Sequence, residues 1–209
     1  MATDQDTFTL LPLSMHPQTK AITTTSSSSS SSTTTASRAL AAELEALNTL
    51  HRTLLSTLEA PFTVPPPPVP VLPKRSAQIK KLRETGNDAF KAAKYQDAIG
   101  FYTLGLKMAL TRPHWEPSGL VRDEAAMLFA NRAQAHMELR DWVQGSADAE
   151  CSVEAKKVGN PKAWFRRGKC LFEMGRYEEA RDWVGKGLEV EGEDSEMLKL
   201  QKEVEAKLP

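Results

Sequence analysis

The sequence predicts an all-α protein, and three observations lead to that fold class. From Ser76 to the C-terminus, apolar residues recur at helical spacing with only short breaks. Three segments in this part of the chain align with one another, which indicates an internal repeat. A proline-rich stretch separates them from a single amphipathic helix and a Ser/Thr-rich tail. We therefore expect a helical array preceded by a tail, one helix and a spacer.

The N-terminal residues 1–37 are predicted to form a disordered tail. They contain an unbroken Ser/Thr tract from Thr23 to Thr35 without a single apolar side chain. Such a tract cannot bury enough apolar surface to offset the entropy that is lost on ordering. Phosphorylation of its hydroxyl groups is an alternative to the plainer interpretation, a solvated segment.

Residues 38–60 are predicted to form one amphipathic helix. Its apolar stripe has spacings of 4, 3, 4, 3 and 4 residues and consists of Leu40, Leu44, Leu47, His51, Leu54 and Leu58. This heptad-like seam is too short for an independent coiled coil. The stripe must therefore dock, either on the C-terminal domain of the same chain or in a groove of another subunit.

Residues 61–75 are predicted to form a proline-rich linker. The stretch "PFTVPPPPVPVLPKR" holds seven of the 13 prolines in the chain. This composition favours an extended polyproline-type spacer. The linker therefore marks a boundary before the helical domain at residues 76–209.

The composition limits the classes of function. Lys and Arg number 27, as do Asp and Glu, so the formal net charge is zero and no nucleic-acid partner is expected. The longest apolar run, "AAMLFA" at 125–130, is far shorter than the roughly 20 residues that span a bilayer. Cys151 and Cys170 are expected to be buried free thiols in a reducing, cytosolic compartment. No metal-ligand spacing, phosphate-binding loop or nucleophile–base pair is visible, so neither a cofactor nor a catalytic residue is expected.

The helical half of the chain contains a threefold repeat. Its segments are "LRETGNDAFKAAKYQDAIGFY", "LFANRAQAHMELRDWVQGSADAE" and "WFRRGKCLFEMGRYEEARDWV". Each carries a small residue, Gly86, Ala133 or Gly168, followed nine residues later by an aromatic residue and three residues after that by a second small residue. The segments are offset by 47 and 35 residues, and the longer offset contains "TRPHWEPSGLVRD" (111–123), whose prolines break the helix.

These spacings resemble those of the tetratricopeptide repeat (TPR) family over about residues 76–192. The resemblance implies three antiparallel helix pairs that stack into a right-handed superhelix, with a concave groove lined by the first helix of each pair. The segment "DSEMLKLQKEVEAKL" (194–208) is predicted to form a further helix that caps the array. Gly145 and Gly187 depart from the family pattern, which more often has bulkier residues there.

A set of polar residues recurs on the first helices of the repeats. Arg83 and Asn87 are four residues apart, as are Lys162 and Arg166, and residues at this spacing share a helix face. Asn131 precedes its small residue by the same two positions as Arg166. Stacking would bring three cations and two amides together without a carboxylate on the same faces. Although exposed charges on helices are usually only solvated, this joint pattern favours a site for an anion with several oxygens.

This set resembles the dicarboxylate clamp of chaperone-binding TPR domains. The resemblance implies that the terminal carboxylate and last Asp side chain of a chaperone tail are held by Arg83, Asn87, Asn131, Lys162 and Arg166. The tail is Glu-Glu-Val-Asp, from cytosolic heat-shock chaperones of the seventy-kilodalton class or the ninety-kilodalton class. Arg83 stands where the family more often has lysine, which keeps the charge but changes the geometry. In "KKLRETGNDAF" (80–90), Gly86 is expected to let a second helix approach while Asn87 binds the partner.

Three neighbouring residues are expected to extend the groove, each with a plainer alternative. Phe90 follows Asn87 by three residues and belongs to the groove or to the core. Lys169 follows Arg166 by three residues and extends its basic face. His136, in the first helix of the second repeat, contacts the peptide or is an ordinary surface histidine.

The proline-rich segment followed by a clamp domain resembles the small TPR subunits of the fungal post-translational Sec translocon. The resemblance covers about residues 40–209 and implies a non-catalytic adaptor on the cytosolic face of the endoplasmic reticulum. A membrane-anchored Sec complex subunit would hold it there, docked on the helix at 38–60 or on the convex face, while chaperones deliver precursor proteins. A soluble cytosolic co-chaperone is the alternative. An enzyme regulated by its TPR domain is disfavoured, because only tail, helix and spacer precede the array.

Overall fold

A computed structural model describes residues 13–24, 35–57, 71, 73–113 and 115–208. The chain divides into two units, Met1–Pro66 and Pro67–Pro209, with the boundary inside the predicted linker. Most of that linker, residues 61–70 and 72, lies outside the described residues, as does the Ser/Thr tract from 25 to 34. The predicted all-α fold is confirmed, with one short hairpin as an addition.

The N-terminal unit contains a hairpin and one helix. Strands β1 (Leu13–Met15) and β2 (Ile22–Thr24) are antiparallel, with Ser14 opposite Thr23. Helix α1 (Thr35–Thr57) begins three residues before the predicted helix 38–60, and residues 58–60 of that prediction lie outside the described residues. The buried side chain of Asn48 on α1 binds the backbone of Ile22, accepting from its N–H at 2.8 Å and donating to its carbonyl at 2.9 Å. The hairpin falls within the stretch for which the sequence predicts a disordered tail, so 13–24 corrects that interpretation.

The C-terminal unit is a stack of helices joined by short turns. In chain order they are α2 (Pro73–Lys91), α3 (Tyr95–Leu110), α4 (Ser118–Glu138), α5 (Trp142–Ala155), α6 (Pro161–Glu173), α7 (Tyr177–Glu191) and α8 (Ser195–Glu205). Each helix packs against the next in sequence, and α2, α4, α6 and α8 also contact one another in that order. These additional contacts create the continuous face on which the predicted clamp residues lie. Helix α2 begins at Pro73, inside the predicted spacer 61–75, and α8 occupies the place of the predicted capping helix.

The small residues of the repeat lie where the two helices of a pair pack closely together, as predicted. A Cβ atom added at Gly86 would lie 2.5 Å from Cε1 of Tyr102 on α3. At Gly168 it would lie 2.6 Å from Cγ2 of Val184 on α7. Ala133 is fully buried in the middle repeat. Any larger side chain at these places would push the paired helices apart.

The backbone of the turns repeats as well as the side chains. One residue in each turn between paired helices has a left-handed conformation: Ala93 and Arg140 with φ of 58°, and Gly175 with φ of 74°. These residues are offset by 47 and 35 positions, the same intervals that separate the small residues. The turn geometry is therefore a property of the repeat and does not depend on glycine.

A buried ion network holds the segment that lengthens the first repeat. Arg112 follows α3 and is only 5% exposed. Its guanidinium donates to both carboxylate oxygens of Glu124 on α4, at 2.8 and 2.7 Å, and to the hydroxyl of Ser76 on α2 at 2.8 Å. Glu116 also pairs with it. The extra residues between α3 and α4 are thus fixed to both first helices.

Candidate functional site

A cavity of about 310 Å³ opens on the face formed by the first helices. Its lining comes from α2, α3, α4 and α6 and consists of Asn87, Phe90, Lys91, Tyr102, Asn131, Gln134 and Arg166. Helical spacing brings the residues of each first helix to one side. Asn87 and Lys91 are four residues apart on α2, and Asn131 and Gln134 are three apart on α4. The cavity therefore brings together three of the five predicted clamp residues, Asn87, Asn131 and Arg166.

Two hydrogen bonds fix the amide of Asn87. The Tyr102 hydroxyl donates to Oδ1 of Asn87 at 2.8 Å, and Nδ2 of Asn131 donates to the same oxygen at 3.0 Å. Nδ2 of Asn87 has no hydrogen-bond partner among the described residues. The amide therefore contributes a free donor group to the lining.

Arg166 is a partly buried cation without a carboxylate partner in the described part of the chain. Its Nε donates to Oε1 of Gln134 at 2.9 Å, and its Nη1 donates to the carbonyl of Ala130 at 2.7 Å. Burial lowers the pKa of its guanidinium, and interactions with Tyr102 and Glu196 oppose that shift. Arginine nonetheless remains charged at neutral pH.

Three other buried or partly buried arginines of the helical array are neutralised by carboxylates. Arg112 pairs with Glu124, Arg132 with Asp148 at 2.7 Å, and Arg167 with Glu150. Burying a cation without a counter-ion costs free energy, because only an ion pair offsets the hydration that the charge loses. Arg166 therefore retains the capacity to bind an anion from outside the chain.

Arg83 lies on α2, one helical turn before Asn87. Its Nη1 is 2.9 Å from the sulfur of Met127, while its buried Nε has no hydrogen-bond partner. Arg83 and Met127 line a neighbouring cavity of about 250 Å³ between α2 and α4. Within the described residues Arg83, like Arg166, forms no ion pair.

The positive charges of Arg83 and Arg166 both act on the Tyr102 hydroxyl. Burial raises the pKa of the Tyr102 hydroxyl, and the positive charges of Arg166 and Arg83 act in the opposite direction. Lys162 lies one turn before Arg166 on α6 and is exposed, without a carboxylate partner in the described part of the chain. It is not part of the cavity lining, although its helix face continues from that of Arg166.

The three additional groove residues have different surroundings. Phe90 lines the cavity, and its ring also packs against Tyr95, with centroids 5.3 Å apart. Lys169 lines a separate cavity of about 230 Å³ between α6 and α8, where its Nζ lies 2.9 Å from Glu173. His136 lines neither the cavity that contains Phe90 nor the one that contains Lys169. Its ring faces α5, with Nδ1 at 3.1 Å from a carboxylate oxygen of Asp141, so the structure places it away from the predicted groove.

Three residues of the lining do not belong to the predicted site. Lys91 and Gln134 follow predicted residues at helical spacing, so that spacing alone was a usable signal. Tyr102 lies on α3, the second helix of its pair, and no spacing rule connects it to Asn87. Only the close approach of α3 to Gly86 brings its hydroxyl to the site.

The lining can bind an anion by hydrogen bonding and charge. It presents amide and guanidinium donors, one ammonium group and two aromatic rings, and no carboxylate. No cluster of three potential metal-ligating side chains occurs among the described residues. Among the same residues, no helix has the length and hydropathy of a membrane span.

Comparisons with known proteins agree with the repeat architecture. The family model described as "Tetratricopeptide repeat" matches residues 161–194. The chain is similar to the ER protein translocation subcomplex subunit sec67 of Schizosaccharomyces pombe, with 40% identity over 136 residues, which cover 64% of this chain and 70% of that protein.

Two solved structures are also similar. One is the first TPR of Spaghetti (RPAP3) bound to the HSP90 peptide SRMEEVD, with 27% identity, a TM-score of 0.53, and coverage of 63% of this chain and 93% of that chain. The other is a chain of the Sec complex from S. cerevisiae, with 22% identity, a TM-score of 0.61, and coverage of 93% of this chain and 96% of that chain. The second likeness concerns the fold.

Proposed function

The chain belongs to the family of the ER protein translocation subcomplex subunit sec67, and on that premise we propose that it is a non-catalytic adaptor of protein translocation at the endoplasmic reticulum. In this proposal its TPR domain binds the C-terminal Glu-Glu-Val-Asp tail of cytosolic heat-shock chaperones. The chaperones thereby deliver precursor proteins to the translocation machinery. The protein itself is peripheral, on the cytosolic face of the membrane.

The observation that carries the peptide-binding proposal is the unpaired positive charge around the cavity. Arg166 and Arg83 lack carboxylate partners among the described residues, although other partly buried arginines have them. Asn87, one helical turn after Arg83, adds a free amide donor, and Lys162 adds a second charge on α6. A ligand with two carboxylates close together, such as a C-terminal aspartate, matches this arrangement.

The Phe90 and Tyr102 rings favour a peptide over a small inorganic anion. An apolar wall beside the donors provides a surface for the side chain that precedes the terminal residue. The similar RPAP3 domain, whose bound peptide ends in Glu-Glu-Val-Asp, supports the same class of ligand. We expect micromolar affinity, about −7 to −8 kcal/mol, because ordering a flexible tail offsets much of the interaction energy.

The test is calorimetric titration of the full chain with a decapeptide ending in Glu-Glu-Val-Asp. The Arg166→Ala variant should lose at least about tenfold in affinity, since a charge-assisted hydrogen bond contributes about 1.5–3 kcal/mol. Arg176→Ala is the matched control, because it removes one positive charge from an exposed residue that pairs with Glu179. Equal affinities for the two variants, or no binding to the wild-type chain, would refute the clamp.

For the membrane-anchored Sec partner, we propose docking on α1. This helix exposes two large apolar side chains three residues apart, Leu47 and Leu50, at 55% and 49%. Replacing both with Asp should abolish co-purification of the chain with the membrane fraction. Leu104→Asp on α3 is the control for docking through the convex face, since Leu104 is 54% exposed. Loss of membrane association with Leu104→Asp alone would move the docking surface to the helical array.

A further inference from the structure

We propose that Tyr102 is a positioning residue that makes this site selective for a free carboxylate over a carboxamide. The inference rests on the proposed peptide-binding function and adds a specificity-determining residue from the second helix of the first repeat. Tyr102 acts through Asn87, whose amide it holds in one orientation.

The geometry around Asn87 leaves its amide little freedom. Its Oδ1 accepts from the Tyr102 hydroxyl at 2.8 Å and from Nδ2 of Asn131 at 3.0 Å. If the amide turned over, its NH₂ group would face the Nδ2 donor of Asn131, and the bond from Asn131 would be lost. The bond from Asn131 therefore favours the orientation in which Nδ2 is the free group, and the bond from Tyr102 holds the amide in that position.

Fixing Asn87 in this way determines which ligand group fits beside it. A carboxylate has only acceptors and matches the free Nδ2 of Asn87 together with the nearby guanidinium groups. A carboxamide has one acceptor and one donor group, so one of its two ends must face a donor. Without the Tyr102 hydroxyl, Asn87 loses one of the two bonds that hold its amide in this position, so its Nδ2 is less firmly presented to the ligand and the preference for a carboxylate weakens.

Gly86 explains how Tyr102 reaches Asn87. The ring of Tyr102 is 2% exposed and lies against Gly86, where an added Cβ would be 2.5 Å from Cε1 and 2.8 Å from Cδ1. The absence of a side chain at Gly86 therefore leaves room for the ring, and the hydroxyl then extends to the neighbouring Asn87. The two adjacent residues contribute separately, one to the position of the ring and the other to the hydrogen bond.

The test compares full-length variants in titrations with a decapeptide ending in Glu-Glu-Val-Asp, as the free acid and as the C-terminal amide. Tyr102→Phe keeps the ring that fills the space beside Gly86 and removes only the hydroxyl. We expect affinity for the free acid to fall about fivefold, the worth of one hydrogen bond, while affinity for the amide changes little. The preference for acid over amide should therefore shrink by the same factor.

Two further variants separate positioning from a general structural effect. Tyr177→Phe is the matched control, because the ring of Tyr177 packs on Phe172 and its hydroxyl has no hydrogen bond within the described residues. It should leave both affinities unchanged. In an Asn87→Ala background, Tyr102→Phe should cause no further loss, since the effect of Tyr102 passes through Asn87.

The outcomes distinguish this inference from the proposed function. If the wild-type chain binds the free acid but Tyr102→Phe keeps the full preference for acid over amide, the positioning is refuted and the peptide site stands. An equal loss in the Asn87→Ala background would likewise contradict transmission through Asn87. If the wild-type chain binds neither peptide, the proposed function fails, and the inference fails with it.

Discussion

The close packing at Gly86 leads to a prediction about stability. In Gly86→Ala, a methyl group would enter a space where two ring carbons of Tyr102 lie only 2.5 and 2.8 Å away. Carbon atoms prefer to be about 3.5–4.0 Å apart, so the overlap is close to 1 Å. Overpacking of this kind costs about 1–3 kcal/mol, because the ring is buried and must shift. Alanine gains about 1 kcal/mol over glycine inside a helix, so we expect a net loss of about 0–2 kcal/mol.

Gly100 provides the matched control for this prediction. It lies inside α3, is exposed, and has no neighbouring atom within 4 Å of an added Cβ. Gly100→Ala should therefore raise the free energy of unfolding by about 1 kcal/mol through helix propensity alone. Since the propensity gain is common to both variants, their difference in stability measures the crowding at Gly86.

The assay is urea denaturation of both variants, followed by far-UV circular dichroism. The free energy of unfolding of Gly86→Ala should lie about 1–3 kcal/mol below that of Gly100→Ala, with similar m-values. If both substitutions stabilise the chain equally, the ring of Tyr102 does not lie against Gly86, and the account of this helix crossing is refuted.

Three further predictions concern the turns, the buried ion network and a buried thiol. Arg140→Gly should raise the free energy of unfolding by about 0.5–1 kcal/mol by removing left-handed strain, and Gly175→Ala should lower it by about 1 kcal/mol; thermal unfolding checks both. Arg112→Ala should cost about 3–5 kcal/mol because it leaves buried carboxylates unpaired, whereas the exposed Arg176→Ala should cost under about 1 kcal/mol in the same urea titration. Burial raises the pKa of Cys170 to about 12 from 9.0. The stabilisation from burying the neutral thiol is therefore complete below about pH 9 and is lost as the pH rises towards 12. Between about pH 9 and 10.5, the free energy of unfolding of the wild-type chain should fall by about 2 kcal/mol more than that of Cys170→Ala, as measured by denaturation.

The helical array could be predicted because its signal is local and repeated. Small residues, aromatic residues and helix breaks recur at fixed offsets, and the left-handed turn residues follow the same offsets. The hairpin at 13–24 could not be predicted in this way. Its strands are only three residues long, and one edge is held by Asn48, which lies 26 residues away from Ile22. A contact of that separation leaves no periodic pattern in the sequence.

The candidate site was predictable only in part. Asn87, Asn131 and Arg166 line the same cavity, and Asn131 and Arg166 hold matching positions in their repeats. His136 lies on α4, the helix that carries Asn131, but its ring faces the carboxylate of Asp141, the residue that caps the N-terminus of α5. Helical spacing predicts which residues share a face, whereas the rotamer and the acidic neighbours on the next helix decide where the ring turns. Both of these depend on tertiary packing.

The equivalent positions in the three repeats suggest how the helix crossing of the first repeat comes to orient Asn87. The residues sixteen positions after the small residues Gly86, Ala133 and Gly168 are Tyr102, Ala149 and Val184. All three are buried, and at Gly168 the nearest atom to an added Cβ is a methyl group of Val184. At Gly168, the absence of a side chain therefore only allows close packing. At Gly86 the packed neighbour carries a hydroxyl, and the next residue along the chain is the asparagine that accepts its hydrogen bond. A place that the repeat requires for close packing has thereby become a means of orienting a polar side chain in the groove.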